Sequence, residues 1–201
     1  IDCGCNYGAY SIPIAKKFPH MNIYAFDASK KIIMKLANNI NLNKIKNIKY
    51  FNFGIGEKNE KKYFNDNINY YNNSGSFKFE KRKIINTNKV NIYSLDSLVK
   101  KKIIKLKKNV IIKLDIEGYE FFALKGMEEI IKKHKVIIFF EVSKMIIENN
   151  KNVVKNFDTF IKKNKLNLYN LNFKKKNITK VFQILSKADN RYQTIDDYIL
   201  A

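Results

Sequence analysis

The chain has 201 residues, the length of one ordinary domain, and 45% of them are hydrophobic against 28% charged. This balance excludes a disordered polyelectrolyte, because the chain has enough apolar side chains to bury a core. The longest uninterrupted apolar run, Val136 to Phe140, is far shorter than the ~20 residues that a membrane-spanning helix needs. We expect a single domain over residues 1–201 and, with no signal peptide at its start, a cytoplasmic location. Because the chain opens in what reads as the end of a strand, we expect its natural N-terminus upstream of Ile1.

The net charge of +21 raises the question of nucleic-acid binding. Lysine supplies nearly all of the positive charge, because only Arg82 and Arg191 are arginines, and the lysines are spread along the chain. Recognition of phosphates and bases relies on the planar, bidentate fork of arginine. The composition therefore favours a lysine-rich, solvated surface over a dedicated nucleic-acid face. It stays compatible with peripheral contact to acidic lipids or anionic glycans.

Predicted helices and strands alternate in the first part of the chain. A glycine-containing turn leads into an apolar helix from Ala9 to Phe18. Ser29 can cap a helix from Lys30 to about Asn41, whose apolar residues recur at helical spacing. Two short apolar segments are predicted strands, Asn22 to Phe26 and Ile48 to Phe53.

The pattern changes near residues 57–93, where short segments with alternating or aromatic residues are separated by asparagine-rich turns. We interpret this region as a β-rich insertion in the same domain and not as a second domain. Within it, Asn73, Ser74 and Ser76 can form either a polar lid over a ligand or a plain solvent loop.

Regular alternation then returns, and it favours a doubly wound, mostly parallel sheet of the Rossmann-like kind. The last two predicted strands are joined by only about seven residues, too few for a crossover helix, so we expect an antiparallel last strand. The predicted elements are strands at Asn109 to Ile116 and Val136 to Ser143, helices at Tyr119 to His134 and Lys151 to Asn164, and strands at Leu166 to Phe173 and Lys180 to Leu185.

Ligands of an open α/β sheet gather outside the carboxyl ends of its strands. The first such end carries Asp2, Gly4 and Gly8, whose D-x-G-x-x-x-G spacing differs from the G-x-G-x-x-G of dinucleotide sites. Asp27 ends the second strand, where an acid accepts hydrogen bonds from both hydroxyls of a ribose. The alternative for Asp27 is a structural acid at the start of a helix, beside Ser29. The glycine turn nearby makes us favour the ribose interpretation.

Two further strand ends carry candidate site residues. The turn from Asn52 to Gly56 can supply backbone amides and an apolar wall to an adenine, or it can be an ordinary turn. The fourth end places Asp115, Glu117 and Glu120 around a glycine turn. We assign Glu120 the structural role of an acid that complements a helix dipole, which leaves Asp115 and Glu117 as site candidates. Glu141, at the end of the following strand, is a further candidate.

We assign no ligand-binding role to the cysteines or histidines. Cys3 and Cys5 lie two positions apart, so they are predicted to face the same side of a strand and are too close for a mutual disulfide. No histidine lies near them to complete a zinc site, and we expect small buried thiols in a reducing compartment. His20 and His134 are predicted at the edge opposite the ligand-binding one, and we predict no metal site.

These residues, in this order, resemble the FkbM family of S-adenosylmethionine-dependent methyltransferases. The stretch I-K-x-D-x-E-G-x-E is more specific to the family than the glycine turn. The departures are modest, with Cys5 in place of the usual alanine and Asp27-Ala28 in place of a frequent Glu-Pro. The similarity covers about residues 1–142 and is carried by Ile1 to Gly8, Tyr24 to Asp27, Leu36 to Asn39, Asn41 to Asn43, Ser94 to Asp96, Ile112 to Glu120 and Leu124 to Gly126.

The resemblance implies a seven-stranded class I methyltransferase sheet with a reversed last strand. It also implies S-adenosylmethionine as the cofactor and O-methylation of a hydroxyl on a sugar, glycan or natural-product-type acceptor. We expect Asp115 to orient the cofactor or the acceptor, Glu117 to act as general base, and Glu141 to be the next candidate for that role. The residues expected to bind the cofactor are Asp2, Gly4, Asn6, Gly8, Asp27, Asn52 and Gly54.

Three alternatives stay open at this stage. A nucleic-acid methyltransferase is suggested by the charge, but the residues after the fourth strand lack the Asn/Asp-Pro-Pro-aromatic turn typical of base-amine methyltransferases. A nicotinamide oxidoreductase would use the same ribose acid, yet G-x-G-x-x-G is missing. A non-catalytic relative that binds S-adenosylmethionine without turnover is the third.

Overall fold

The computed structural model of the protein describes residues 1–65, 79–80, 87–142, 152–181 and 196–201. The proposed lid residues Asn73, Ser74 and Ser76 lie outside these ranges. Within the described ranges, no helix is both long enough and apolar enough to span a lipid bilayer.

The elements in chain order are β1 (Asp2–Cys3), α1 (Ser11–Lys17), β2 (Ile23–Asp27), α2 (Lys30–Leu42), β3 (Ile48–Asn52), β4 (Gly54–Ile55), β5 (Glu60–Asn65), β6 (Phe79–Glu80), β7 (Thr87–Tyr93), α3 (Leu95–Lys100), β8 (Asn109–Leu114), α4 (Glu120–Lys125), α5 (Glu128–Lys133), β9 (Lys135–Val142), α6 (Val153–Lys163), β10 (Leu168–Asn170), β11 (Lys175–Lys176) and β12 (Asp196–Leu200). The predicted helix after Ser29 is confirmed, and the Ser29 hydroxyl accepts a hydrogen bond from the backbone N–H of Ile32.

The main sheet has the strand order β11-β10-β12-β9-β8-β1-β2-β3. Five neighbouring strands, β9, β8, β1, β2 and β3, pair in parallel. The strand β12 lies between β9 and β10 and is antiparallel to both. The predicted doubly wound, mostly parallel α/β sheet with an antiparallel last strand is therefore confirmed. The sheet has eight strands where seven were predicted, because the two-residue β11 pairs with β10 at the edge.

The position predicted for the reversed strand was wrong. It lies at Asp196–Leu200, while residues 178–181, which include Lys180 and Val181 at the start of the predicted strand, are helical. Ile178 and Val181 are both buried, three positions apart, which is the spacing of one helix face. Residues 182–185 of the predicted strand lie outside the described ranges.

A second, four-stranded sheet has the order β4-β7-β5-β6, in which β5 and β7 form the longest antiparallel pair. The β-rich character predicted near residues 57–93 is thus present in the described part of that region. The second sheet begins slightly earlier than predicted, because Gly54–Ile55 pairs with the end of β7.

Two hydrophobic clusters lie on the two faces of the main sheet. The larger contains Cys3 and Phe26 with residues of α3 to α6, and the smaller contains Cys5 and Ala25 with residues of α1 and α2. Both thiols are free and buried, as predicted, and burial raises the pKa of Cys3 to about 12. The prediction that they share a face was wrong, because Gly4 between them has a positive φ of 76° and turns the chain over.

The helix predicted from Tyr119 to His134 is divided into α4 and α5 at Gly126 and Met127. The Asp96 carboxylate supports the start of α5 by accepting hydrogen bonds from the backbone N–H groups of Glu129 and Ile130, both at 3.0 Å. A Cβ atom at Gly126 would overlap the carbonyl oxygen of Gly56. The break between α4 and α5 therefore lies where the backbone of Gly126 contacts the backbone of Gly56, the residue after β4 of the second sheet.

Gly126→Ala should destabilise the protein by about 3 kcal/mol, because the backbone of Gly56 cannot move away without disturbing β4. Gly56→Ala is the matched comparison and should cost only about 1 kcal/mol, because its Cβ would meet side-chain atoms of Ile92 and Tyr119, which can shift. Urea unfolding measures both changes. Equal losses in the two variants would contradict this account.

Candidate active site

The strand ends that carry the predicted site residues meet at one edge of the main sheet. Asp2 of β1 is paired in register with Lys113 of β8, and Asp27 of β2 is paired with Asn52 of β3. The glycine turn after β1 and the acid at the end of β2 therefore lie at the same edge, as the sequence predicted.

The loop after β1 is held by backbone contacts that depend on glycine. The N–H groups of Gly4 and Cys5 both donate to the carbonyl oxygen of Phe26, at 2.9 and 3.1 Å. Gly4, Asn6 and Gly8 all have positive φ values, of 76°, 49° and 91°. A Cβ atom at Gly4 would overlap the carbonyl oxygen of Asp115. Gly4 thus allows the end of β1 to lie directly against the residue that follows β8.

Asp27 connects the loop after β1 to the start of α2. Its carboxylate accepts hydrogen bonds from the backbone N–H of Asn6 at 3.3 Å and from that of Ser29 at 2.9 Å, and the residue is only 8% exposed. The structural role considered for Asp27 is therefore real. It also keeps the carboxylate at the mouth of the glycine loop, where the ribose interpretation requires it.

Asn52 and Gly54, predicted to contact the cofactor, have structural partners. The Asn52 amide donates to the carbonyl oxygens of Asp27 and Ala28, at 3.1 and 3.0 Å, and so fixes the end of β2. Gly54 is buried in β4. Beside them, the Phe53 ring lies 5.5 Å from Phe26 and 4.7 Å from Tyr93 between ring centres. These rings form an aromatic cluster beside this strand end.

Of the predicted catalytic acids Asp115, Glu117 and Glu141, the two glutamates have raised pKa values. Burial, then the negative charge of Asp115, raises the pKa of Glu117 to about 7. Burial is also the main cause that raises the pKa of Glu141 to about 7, followed by the charges of Asp115, Glu117 and Asp197. The edge thus holds two carboxyl groups that change ionisation near neutral pH.

Lys113 was not identified from the sequence, although it belongs to the same group of residues. Its ammonium lies 2.9 Å from Oδ2 of Asp115 and 3.6 Å from Oδ1 of Asp2, and it sits 4.9 Å from the centre of the Tyr10 ring. Oδ2 of Asp2 accepts a hydrogen bond from the Ser11 hydroxyl at 2.5 Å. The one available signal was the fixed place of this lysine in the I-K-x-D motif, which the abundance of lysine elsewhere obscured.

Glu120 lies in the first turn of α4, as predicted for an acid that complements the helix dipole. The residue is 1% exposed, and its Oε1 accepts a hydrogen bond from the backbone N–H of Ile116 at 2.9 Å, which closes the turn between β8 and α4. Its Oε2 has no hydrogen-bond partner among the described residues. Burial is the main cause that raises the pKa of Glu120 to about 8.

The histidines lie at the opposite edge, since His20 precedes β2 and His134 immediately precedes β9. Among the residues that the structure describes, no three His, Cys, Asp or Glu side chains are arranged to hold a metal ion. A cavity of about 660 Å³ begins beside Asp2 and Asp115 and continues along the face of the sheet over the apolar side chain of Ile111.

Comparisons with known proteins agree with this geometry. The chain matches the model of the methyltransferase FkbM domain over residues 2–192. The crystal structure of the methyltransferase FkbM from Methylobacillus flagellatus is 15% identical with a TM-score of 0.56, and the match covers 100% of this chain and 42% of that one. This chain therefore spans less than half the length of that protein. No curated protein sequence matches the chain.

A second solved structure has the same fold. SMU.1697c of Streptococcus mutans, in complex with S-adenosylhomocysteine, is 11% identical with a TM-score of 0.51, and the match covers 100% of this chain and 85% of that one. At this level of identity the similarity concerns the fold alone.

The raised pKa of Glu120 predicts how stability depends on pH. Because the folded state holds the Glu120 proton more tightly than the unfolded state, this group's contribution is complete below about pH 4.5 and is lost as the pH rises through about 8. The melting temperature should therefore fall between pH 5 and pH 8, and in Glu120→Gln this fall should be smaller by roughly a third. The remaining fall comes from Glu117 and Glu141, whose pKa values are also raised.

Thermal unfolding followed by circular dichroism over this pH range measures the effect. Glu129→Gln, a change at an exposed acid of α5, is the matched control and should keep the parent's pH dependence. If the melting temperatures of Glu120→Gln and of the parent fall equally with pH, the buried carboxyl group of Glu120 does not cause this pH dependence.

Proposed function

The chain belongs to the FkbM methyltransferase family, and on that premise we propose that it transfers the methyl group of S-adenosylmethionine to a hydroxyl oxygen of a sugar, glycan or natural-product-type acceptor. S-adenosylmethionine is the methyl donor of the family, and when bound it supplies an electrophilic methyl group on a sulfonium. The observation that carries the proposal is the meeting of the glycine loop, Asp27 and the acids after β8 and β9 at one sheet edge.

The residues of the loop suit an adenosine-bearing donor. The positive φ values of Gly4, Asn6 and Gly8 turn the loop so that its backbone lies beside Asp27, whose carboxylate accepts the N–H of Asn6. Asp27 would accept hydrogen bonds from the ribose hydroxyls, and the apolar wall that includes Phe53 would face the adenine. In this assignment Asn52 and Gly54 act indirectly, by fixing the end of β2 and the start of the second sheet.

The acids after β8 and β9 suit an acceptor that must lose a proton. A sugar hydroxyl is a weak nucleophile, and a base with a pKa near the working pH is the most effective catalyst of its deprotonation. Glu141 and Glu117 each have a pKa raised to about 7, so either can take the proton as the oxygen–methyl bond forms. Asp115, whose charge acts on both glutamates, would orient the acceptor.

Methylation of a nucleic acid is the competing function, and the net charge of +21 favours it. The acids after β8 and at the end of β9, which form the mouth of the proposed acceptor site, disfavour nucleic-acid methylation. In their ionised forms Asp115, Glu117 and Glu141 would repel the phosphates that flank a target base. RNA binding that survives moderate salt and supports methyl incorporation would establish this competitor instead.

Asp27→Asn tests the donor site. An amide NH₂ at this position cannot accept hydrogen bonds from ribose hydroxyls, so we expect the affinity for S-adenosylhomocysteine to fall at least about tenfold. Isothermal titration calorimetry measures the change, and Asp158→Asn in α6, a remote surface acid, is the matched control. Unchanged affinity in a folded Asp27→Asn protein would remove Asp27 from the donor site.

Asp115→Asn tests the acceptor site. The variant keeps the size of the side chain but loses its charge, and methyl transfer should fall at least about 100-fold with little change in melting temperature. Incorporation of radiolabel from S-adenosylmethionine into a panel of mono- and oligosaccharides gives the measurement. Incorporation at the parent's rate would show that Asp115 does not contribute to the chemistry.

A further inference from the structure

We propose that Lys113 is a positioning residue that ties Asp115 to Asp2, and so fixes the acid facing the acceptor relative to the strand that leads into the donor loop. The inference rests on the proposed methyl transfer for its functional meaning, but the ion pairs that carry it are features of the folded chain alone.

The parallel register of β1 and β8 places Lys113 between the two acids. Asp2 and Lys113 are paired residues of adjacent strands, so their side chains lie on the same face of the sheet. Asp115 follows Lys113 by two positions, and its side chain returns to that face. The Lys113 ammonium reaches both carboxylates, at 3.6 Å from Asp2 and 2.9 Å from Asp115.

Asp2 is a rigid anchor for this lysine. It is only 5% exposed, and the Ser11 hydroxyl of α1 holds its Oδ2. Its buried Oδ1 has no hydrogen-bond partner among the described residues, so the ammonium at 3.6 Å supplies the compensating charge there. The Tyr10 ring covers the ammonium from a further side. Lys113 therefore approaches Asp115 from a fixed position.

Several acids lie near Asp115 in the described part of the chain. Glu117 lies on the same loop, Glu141 on β9, and Asp197 is paired in register with Glu141 on β12. Burial alone would lower the pKa of Lys113, but the charges of Asp2 and Asp115 outweigh it and the pKa is raised, so the cation persists at neutral pH. Lys113 thus keeps a positive charge 2.9 Å from the carboxylate of Asp115, beside these acids.

Removing the cation should be visible at Glu141. In Lys113→Met the positive charge beside Asp115 is lost, so Glu141, whose pKa the charge of Asp115 already raises, should hold its proton more tightly. We expect the titration midpoint of Glu141, about 7 in the parent, to move by about half a pH unit or more. Lys113→Arg, which keeps the cation, should restore the parent's midpoint, and Lys49→Met, at an exposed lysine of β3, should leave it unchanged.

The measurement is carbon-13 NMR of the side-chain carboxyl groups in glutamate-labelled protein, with the Glu141 signal assigned through Glu141→Gln. If Lys113→Met fails to fold, the double variant Asp2→Asn, Lys113→Met is titrated in the same way, because it also removes the buried charge of Asp2 that Lys113 compensates. An unchanged Glu141 midpoint in a folded variant that lacks Lys113, or a shift that Lys113→Arg does not reverse, overturns the proposal.

The experiment needs neither methyl donor nor acceptor, so its result is independent of the proposed function. Calorimetry of the parent with S-adenosylhomocysteine is run alongside. Absence of binding there would count against the donor site, while the NMR result alone decides whether Lys113 positions Asp115.

Discussion

The backbone of Gly4 lies directly against the carbonyl oxygen of Asp115, and the arrangement of the candidate site depends on this contact. It requires a residue without a Cβ atom and with a positive φ. Because β1 and β8 are adjacent parallel strands, the contact brings the glycine loop and the acidic turn to one edge. A larger residue at position 4 would push the glycine loop after β1 away from the acidic turn after β8.

Electrostatics then give the two halves different properties. Around the loop, Asp27 is engaged by backbone N–H groups, which favour an ionised carboxylate. Across the edge, Glu120 is buried and Glu117 and Glu141 are half-buried, and their raised pKa values reflect a cost of ionisation. Burial of acids that would be more stable in water is typical of a site under functional constraint. Lys113 limits this cost at Asp115 and Asp2.

The parts of the structure that follow from local sequence patterns were predictable. The glycine turn, the acid ending β2, the Ser29 cap and the acids after β8 all depend on residues close together in the chain. The helix break at Gly126 was not predictable, because it arises from contact with Gly56 far away in sequence.

One further error has its origin in tertiary structure. The reversed strand was placed too early because Val181 and the residues after it form a short apolar segment, where strand and helix patterns cannot be told apart. The place of Glu120 in a first helical turn was predictable, but only the fold shows that the residue is buried and accepts the N–H of Ile116. For the site itself, spacing identified which acids meet, but their ionisation depends on burial, which sequence spacing does not contain.

The contrast between the lysine-rich surface and the acidic mouth bears on the choice of acceptor. Exposed charges are screened over about 8–10 Å at physiological ionic strength, whereas partly buried charges are screened much less. In the proposed site, Asp115 and the ionised fractions of Glu117 and Glu141 therefore oppose the net charge of +21 locally, although Lys113 offsets part of their charge. A neutral hydroxyl compound can donate hydrogen bonds to these carboxylates, while a phosphate there would face repulsion. The surface lysines can still attract an anionic glycan from a distance, provided that the sugar unit entering the mouth carries hydroxyls and no charge.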